Sequence, residues 1–382
     1  GGSPPAPQSW GVREPPRIGG QGGSLWCLDL GASVVEGGVH FIVWAPNAKR
    51  VEIGLVTPDG PAYYPLAAEA DGYHAGTVSG IGAGARYKYR LDGGMGYPDP
   101  CSRYQPEGPH GPSEVVDPSA FRWTDDGWSG TGPEGLAIYE LHVGTFTPEG
   151  TFDAVIPELP ELAALGITAI EIMPVAEFPG ARNWGYDGVA LFAPSRAYGR
   201  PDDFRRLVDA AHRHGLAVIL DVVYNHLGPE GAYLPRFNPA YLAGRHRTPW
   251  GAAVNLDAEG SALVRRFILD NAAHWVREYH ADGLRLDATH ALIDDSPKTI
   301  VQEIAEHFLM QKAQLEFASI SDGLLKASLA EKPADIAVMS FPLNRSLSAL
   351  RQISSELADQ RLRSRFDQRI SDFARLAEGQ DS

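Results

Sequence analysis

Leu216-Ala-Val-Ile-Leu-Asp-Val-Val-Tyr-Asn-His226 is a nearly unbroken apolar run that ends in polar side chains. A strand with one wet face would alternate, so the continuous run Leu216–Val223 reads as a strand of a parallel sheet, buried on both sides. Upstream lies a helical pattern, Pro201–His214, closed by Gly215, and before it a second apolar strand, Ile167–Met173. A helix-like stretch near Phe152–Leu165, closed by Gly166, separates that strand from a first one, Ala137–Val143. Downstream, an irregular insertion over 227–260 leads to helix Ser261–His280 and strand Gly283–Asp287. Strand followed by helix, repeated with apolar strands, predicts an α/β fold with helices covering a parallel sheet. Four such units predict a (β/α)8 TIM-type barrel of which only the first half is legible. The chain beyond Gly135 has about the 250 residues that a whole barrel takes. Yet residues 309–382 read as a helical tail with one strand-like run, Ala334–Phe341, and no further cadence.

Ahead of the barrel, residues 1–24 carry five prolines and a Gly-rich run, which predicts a flexible tail. From 25 to 105, short strands such as Val39–Trp44, Val51–Val56 and Ala85–Leu91 are punctuated by Pro-Asn, Asp-Gly and Gly-Gly turns. That spacing predicts an N-terminal β-sandwich, immunoglobulin-like, with Trp26 and Trp44 as core residues. Pro-rich sequence over 106–134 reads as a linker, and 135–308 as the barrel segment.

The 382 residues include 43% apolar ones, enough for more than one core, and 42 Gly with 30 Pro, which speaks against an all-helical protein. A balance of 33 basic against 48 acidic residues, net −15, disfavours nucleic acid and anionic membrane as partners. No apolar run approaches the ~20 residues of a membrane span, and the Pro/Gly-rich start does not resemble a secretory leader. Two cysteines, Cys27 and Cys101, make no disulfide framework and suit a reducing cytoplasm.

In α/β barrels the reactive groups stand at the carboxyl ends of strands. That rule selects His142, Met173-Pro174-Val175, Asp221 with Asn225 and His226, and Arg285, Asp287 and His290. Arg285 and Asp287 are two apart on a strand and so share a face, where the cation would keep the carboxylate ionised, as a nucleophile requires. The set lacks a compact ligand spacing, so no metal is expected in it. Trp184 and Tyr186, with Tyr233, Tyr241 and Trp250 in the insertion, add rings on which sugars can stack.

The motifs Asp221-Val-Val-Tyr-Asn-His226 and Gly283-Leu-Arg-Leu-Asp-Ala-Thr-His290 resemble the first two signature regions of the α-amylase superfamily of glycoside hydrolases. Longer stretches, Tyr139–Phe152, Phe178–Gly188, Tyr224–Leu234 and Thr248–Asp257, are similar to the maltooligosyltrehalose trehalohydrolase family; the resemblance covers about 25–308. Glycogen branching enzymes are the nearest competitor, and a non-catalytic α-glucan-binding protein is the alternative from another class. The resemblance implies release of trehalose from maltooligosyltrehalose with retention, and no cofactor. It makes Asp287 the nucleophile and Arg285 its orienting cation. It assigns His226 and His290 to the reacting sugar and Tyr186 to stacking on it, with Trp184 and Asn225 beside them and Asp221 supporting Arg285.

Retaining hydrolysis needs a second carboxyl as acid. Glu316 lies near the expected distance and Glu331 has the more similar neighbours, but neither sits in a matching segment. The barrel's second half also has no counterpart in the sequence. A truncation or fusion near Phe308 would explain this, as would a half-barrel whose open edge is covered by tail helices or by a second copy in a homodimer. A fusion whose tail recruits a partner is a third reading. Hydrolysis is accordingly expected to be lost or weak.

Overall fold

The computed structural model describes residue 28, residues 30–132 and 135–313, and six residues between 363 and 371. The stretch 1–24, Trp26, Cys27, Glu316, Glu331 and nearly all of 309–382 lie outside the described residues.

The N-terminal unit is two packed antiparallel sheets. One takes Gly31–Val35, Gly38–Trp44, Tyr73–Ser79 and Ala67–Ala68; the other takes Ala62–Pro65, Val51–Leu55, Arg86–Leu91, Gly96–Tyr97 and Ser113–Glu114. Alternation along Gly38–Trp44 sends Val39, Phe41 and Val43 inward, where they meet Val51, Ile53, Tyr87 and Tyr89. The unit therefore does not stop at 105: Ser113 and Glu114 pair with Tyr87 and Arg86, inside the stretch read as linker. Two residues are too few to show a period, and this strand is fixed by side chains instead. The Ser113 hydroxyl donates to Gln105 and accepts from the Asp99 backbone N–H.

The second unit is built on a four-stranded parallel sheet: β1 (Ile138–Leu141), β2 (Ala169–Ile172), β3 (Ala217–Val222) and β4 (Gly283–Leu286), in that order. Helices α1 (Leu159–Ala164), α2 (Pro201–Arg213) and α3 (Ser261–Tyr279) connect them. α2 starts where Pro201 takes the first position and the Asp203 carboxylate accepts the Arg200 backbone N–H at 2.7 Å. It ends where Gly215 turns the chain left-handed, φ 76°. Its buried stripe, Phe204, Leu207, Val208 and Ala211, lies in one core with α3, β2 and β3. The inner strands are largely buried, whereas Ile138 and Tyr139 on the outer strand β1 are exposed.

Three features differ from the sequence reading. Buried strand Ala190–Pro194 was not expected; its apolar residues pack on α3, and Asn271 and His274 donate to the Leu191 and Phe192 carbonyls. The insertion over 227–260 is ordered by a short helix, Leu234–Phe237, and a hairpin, Leu242–Thr248 with Gly251–Val254. Phe237 plugs the N-terminal core and Tyr241 meets Trp44 edge-on at 5.3 Å, so Tyr241 is a core residue, not a sugar platform. Residues 300–313 form one continuous helix with Ile300, Ile304 and Ala313 buried, so this helix runs across position 308, the end of the stretch read as the barrel segment.

The two units are riveted by charge as well as by packing. Arg103 donates from Nε and Nη2 to the Glu278 carboxylate of α3 at 2.7–3.0 Å, with both side chains buried. Burial alone would raise Glu278, but Arg103 and His274 hold it well below the usual carboxylate range.

Candidate active site

Asp221 and Arg285 are direct partners in the register of β3 and β4, which sets their side chains side by side at the carboxyl end of the sheet. Arg285 Nη1 donates to Asp221 Oδ2 and to Asp287 Oδ1, each at 2.8 Å. One cation thus grips two carboxylates: the two-residue spacing predicts its pairing with Asp287, and the strand register adds Asp221. Asp287 follows the last residue of β4, and Ala288 turns at once into the left-handed region, φ 42°. Only glycine adopts that conformation freely, so the surroundings must hold it.

Asn225 supplies the other grip: its Nδ2 donates to the Asp287 carbonyl at 2.9 Å and to Asp287 Oδ2 at 3.3 Å. Asn225 thus bonds both the backbone and the carboxylate of Asp287. Asp221 is buried and pushed up to about 6 by that burial, although Arg285 draws the other way. Its Oδ2 also accepts from the Tyr186 hydroxyl at 3.2 Å, and its Oδ1 is buried without a protein partner among the described residues. Burial and the neighbouring Asp221 push the Tyr186 hydroxyl up to about 12, so it stays a donor. The two carboxylates outweigh burial at Arg285 and hold the guanidinium firmly charged.

The Tyr186 loop is locked from both ends. Gly185 runs at φ 97°, and a Cβ there would lie 2.1 Å from the Pro174 carbonyl oxygen, so glycine is required. Asn183 Oδ1 accepts the Gly185 N–H at 2.8 Å, while the Asn183 carbonyl meets His142 Nε2 at 2.8 Å and the Tyr198 hydroxyl at 3.2 Å. His142 thus supports the loop. Tyr198, which carried no sequence signal, shares that work.

His226 is buried, with Nδ1 on Asn225 Oδ1 and Nε2 on the Tyr186 carbonyl. Both ring nitrogens are occupied by protein, so the expected hydrogen bond from His226 to a sugar is replaced by a structural one. Trp250 stacks on its ring at 5.2 Å and remains 49% exposed. Trp184, tilted beside His142, is 67% exposed, the most open aromatic of the set. His290 sits exposed on the turn Thr289–Ala291; among the described residues it makes no hydrogen bond to Asp221, Arg285 or Asp287. The geometry gathers Asp221, Arg285, Asp287, Asn225, His226 and Tyr186 into one network, with exposed Trp184 two residues before Tyr186 on its loop and His290 not hydrogen-bonded to it among the described residues.

Residues 29–118 match the family model of carbohydrate-binding module 48, the isoamylase N-terminal domain, and residues 115–239 match that of the alpha-amylase catalytic domain. Over 279 residues the chain is 50% identical to the malto-oligosyltrehalose trehalohydrolase of Saccharolobus solfataricus, covering 73% of this chain and 49% of that one. It is 49% identical over 282 residues to the enzyme of the same name from Rhizobium sp. (strain M-11), covering 71% and 46%. The crystal structure of a putative alpha amylase from Salmonella typhimurium aligns with a TM-score of 0.69 at 45% identity, over 74% of this chain and 47% of that one. The chain spans about half the length of the curated relatives it matches.

Proposed function

Because about seven tenths of this chain is homologous to the malto-oligosyltrehalose trehalohydrolases, we propose that it acts on α-1,4-glucans ending in trehalose, as a glycoside hydrolase of the retaining kind. The observation that carries this reading is the Asp221–Arg285–Asp287 grip at the carboxyl ends of adjacent strands. Asp287 attacks the anomeric carbon and forms a glucosyl-enzyme as the bond to trehalose breaks; water then releases the sugar. Arg285 keeps Asp287 ionised and aimed, Asn225 fixes its other oxygen, and Asp221 anchors the arginine. Tyr186 stacks on the reacting sugar, Trp184 and Trp250 receive neighbouring ones, and His290 reaches a sugar hydroxyl.

Retention also requires a second carboxyl, ~5–5.5 Å from the nucleophile, to protonate the departing oxygen. Asp221 does not fill that role: it faces the same guanidinium nitrogen as Asp287, so the two flank a cation rather than a glycosidic bond. No described residue takes the part of the acid, and hydrolysis of the natural linkage is expected to be weak. In this reading the four parallel strands are the first half of a (β/α)8 barrel behind an immunoglobulin-like sandwich. The protein works in the cytoplasm, where the buried, unpaired Cys101 stays reduced, and its exposed β1 edge pairs two copies into a homodimer.

The test is incubation with maltooligosyltrehalose beside an α-glucosyl fluoride, whose leaving group needs no acid. Turnover of the fluoride with little trehalose release supports a working nucleophile half. Trehalose release at an ordinary enzymatic rate means that the acid lies outside the described residues. Binding of maltoheptaose in calorimetry with no turnover of either substrate favours the second reading, a glucan-binding protein, which the exposed Trp184 and Trp250 support. Neither binding nor turnover rejects both.

A further inference from the structure

Away from the catalytic grip, the hairpin of the insertion meets the loop that follows β4, and three side chains converge there. His246 stands on the strand Leu242–Thr248, Asp257 follows the hairpin, and Asp295 lies five residues beyond His290. Each offers a ligand atom, and the three atoms lie within 4.8 Å of one another. Two buried polar atoms in this cluster lack hydrogen-bond partners among the described residues: His246 Nε2 and Asp257 Oδ1. The Asp257 side chain is only 3% exposed, and leaving such an atom unpaired costs ~1–3 kcal/mol. His246 Nε2 stands 3.7 Å from Asp257 Oδ2, too far for a hydrogen bond. The pair is therefore arranged around a shared point rather than bonded to each other.

We propose that His246, Asp257 and Asp295 form a site for a divalent transition cation of the Zn2+ class. One imidazole with two carboxylates is a donor set that Zn2+ accepts, with water completing the tetrahedron, whereas Ca2+ takes oxygen ligands. Zn–N and Zn–O bonds of about 2.0–2.2 Å place ligand atoms roughly 3.4 Å apart, so the cluster closes by about an ångström on binding. The outer position belongs to Asp295, whose side chain is 77% exposed and, among the described residues, held only by a 3.9 Å ion pair with Arg245. Arg245 now holds Asp257 Oδ2 at 2.8 Å, as does the Asp295 backbone N–H at 3.1 Å, so the oxygen nearest His246 carries an exposed cation that the ion must displace, while Oδ1 has no partner among the described residues. Arg245 is 54% exposed, so its charge can withdraw into water as the cation enters.

The consequence is mechanical. Trp250, at the tip of the same hairpin, stacks on His226, while Asp295 belongs to the loop that leaves Asp287. A bound cation staples the insertion to that loop and fixes the aromatic platform beside the catalytic grip without touching the reacting atoms.

The test is calorimetric titration of the untagged 382-residue chain with Zn2+ at pH 7, together with melting temperature against Zn2+ concentration. We expect one saturable equivalent and a melting temperature that climbs with added metal. His246→Gln and Asp295→Asn each weaken binding on the order of tenfold or more, whereas His110→Gln, which removes an exposed imidazole elsewhere, leaves it unchanged. Asp295 is exposed, so its amide variant keeps the fold, which circular dichroism verifies. Absence of a saturable equivalent overturns the proposal, and so does binding that survives both His246→Gln and Asp295→Asn.

Discussion

The two ends of the same four strands carry the same electrostatic pattern in opposite settings. At the carboxyl end, Arg285 lies between Asp221 and Asp287 and its side chain is 41% exposed. At the amino end, His212 lies between Asp125 and Asp282, at 2.8 and 2.9 Å, with its side chain 1% exposed. The second cluster contains no buried side-chain polar atom without a partner among the described residues. Asp125 also binds His280, and Asp282 also accepts from Trp128, Lys312 and the Val218 backbone N–H. Trp128 stacks on His212 and Trp123 on His280. The upper cluster keeps a buried Asp221 oxygen without a partner among the described residues, a left-handed Ala288 and a half-exposed Arg285. A cation between two carboxylates is thus not in itself a reactive site. What separates a reactive site from a rivet is whether every remaining lone pair is taken and whether a substrate can approach.

The sharpest way to break this comparison is Asp287→Asn. If the upper end is the reactive one, turnover of an α-glucosyl fluoride falls on the order of 10^4-fold, while the denaturation midpoint hardly moves. An unchanged rate would remove the nucleophile from the scheme. Next in size is His212→Gln, which leaves two carboxylates facing each other in the interior. Unfolding free energy should drop by about 3–5 kcal/mol in urea titration, with the affinity for maltoheptaose kept at concentrations where the variant is folded. A loss under 1 kcal/mol would mean that the lower cluster is no rivet.

Asn225→Ala tests positioning. It should lower turnover of the fluoride by roughly 10–100-fold with little change in KM, since Asn225 holds the carboxylate of Asp287. Trp184→Ala is smaller still, weakening maltoheptaose by about tenfold in calorimetry and leaving stability unaltered.

The pH dependence sharpens the contrast most finely. Burial raises Asp221 to about 6, so the native state binds the extra proton and stability declines as pH rises from about 4 to 6. Asp221→Asn removes that decline, and its stability relative to the parent should climb over this window and level off above it. At the lower end, burial is outweighed by His212 and His280 at Asp125, and by Lys312 and His212 at Asp282, so both carboxyls fall well below the usual range. The same carboxylates outweigh burial at His212 and raise it. The carboxylates therefore contribute above about pH 4, and His212 contributes below about 6.5, with a loss as pH rises through its raised value. His212→Gln should be most damaging between those limits; a flat profile would contradict the assignment.

Much of the upper end was legible in the sequence because strand periodicity is local: Arg285 and Asp287 must share a face, and apolar runs must be buried. Asn225 and His226 were found by their place after a strand, but their partners were not. That Asn225 reaches Asp287 and His226 reaches the Tyr186 carbonyl depends on the distance between loops that sequence does not encode. The lower rivet was missed altogether. Its members, Asp125, His212, His280 and Asp282, come from a Pro-rich connector, a helix end and two residues after another helix, and no spacing links them. The strand Ser113–Glu114 escaped notice for the same reason, being two residues long and held by side chains from elsewhere.

Alone, the chain's order of residues determined the parallel strands, the helices between them, the two-sheet unit in front and the cation–carboxylate pair at the end of β4. All of these follow from periods of two and 3.6 residues and from turn chemistry, which act within a few residues. Only the tertiary structure decided which histidine is a rivet and which a loop support, that Tyr241 and Phe237 belong to cores, and that Asp221 shares one guanidinium with Asp287. Those outcomes rest on burial and on hydrogen-bond partners scores of residues apart, and only packing brings such groups together.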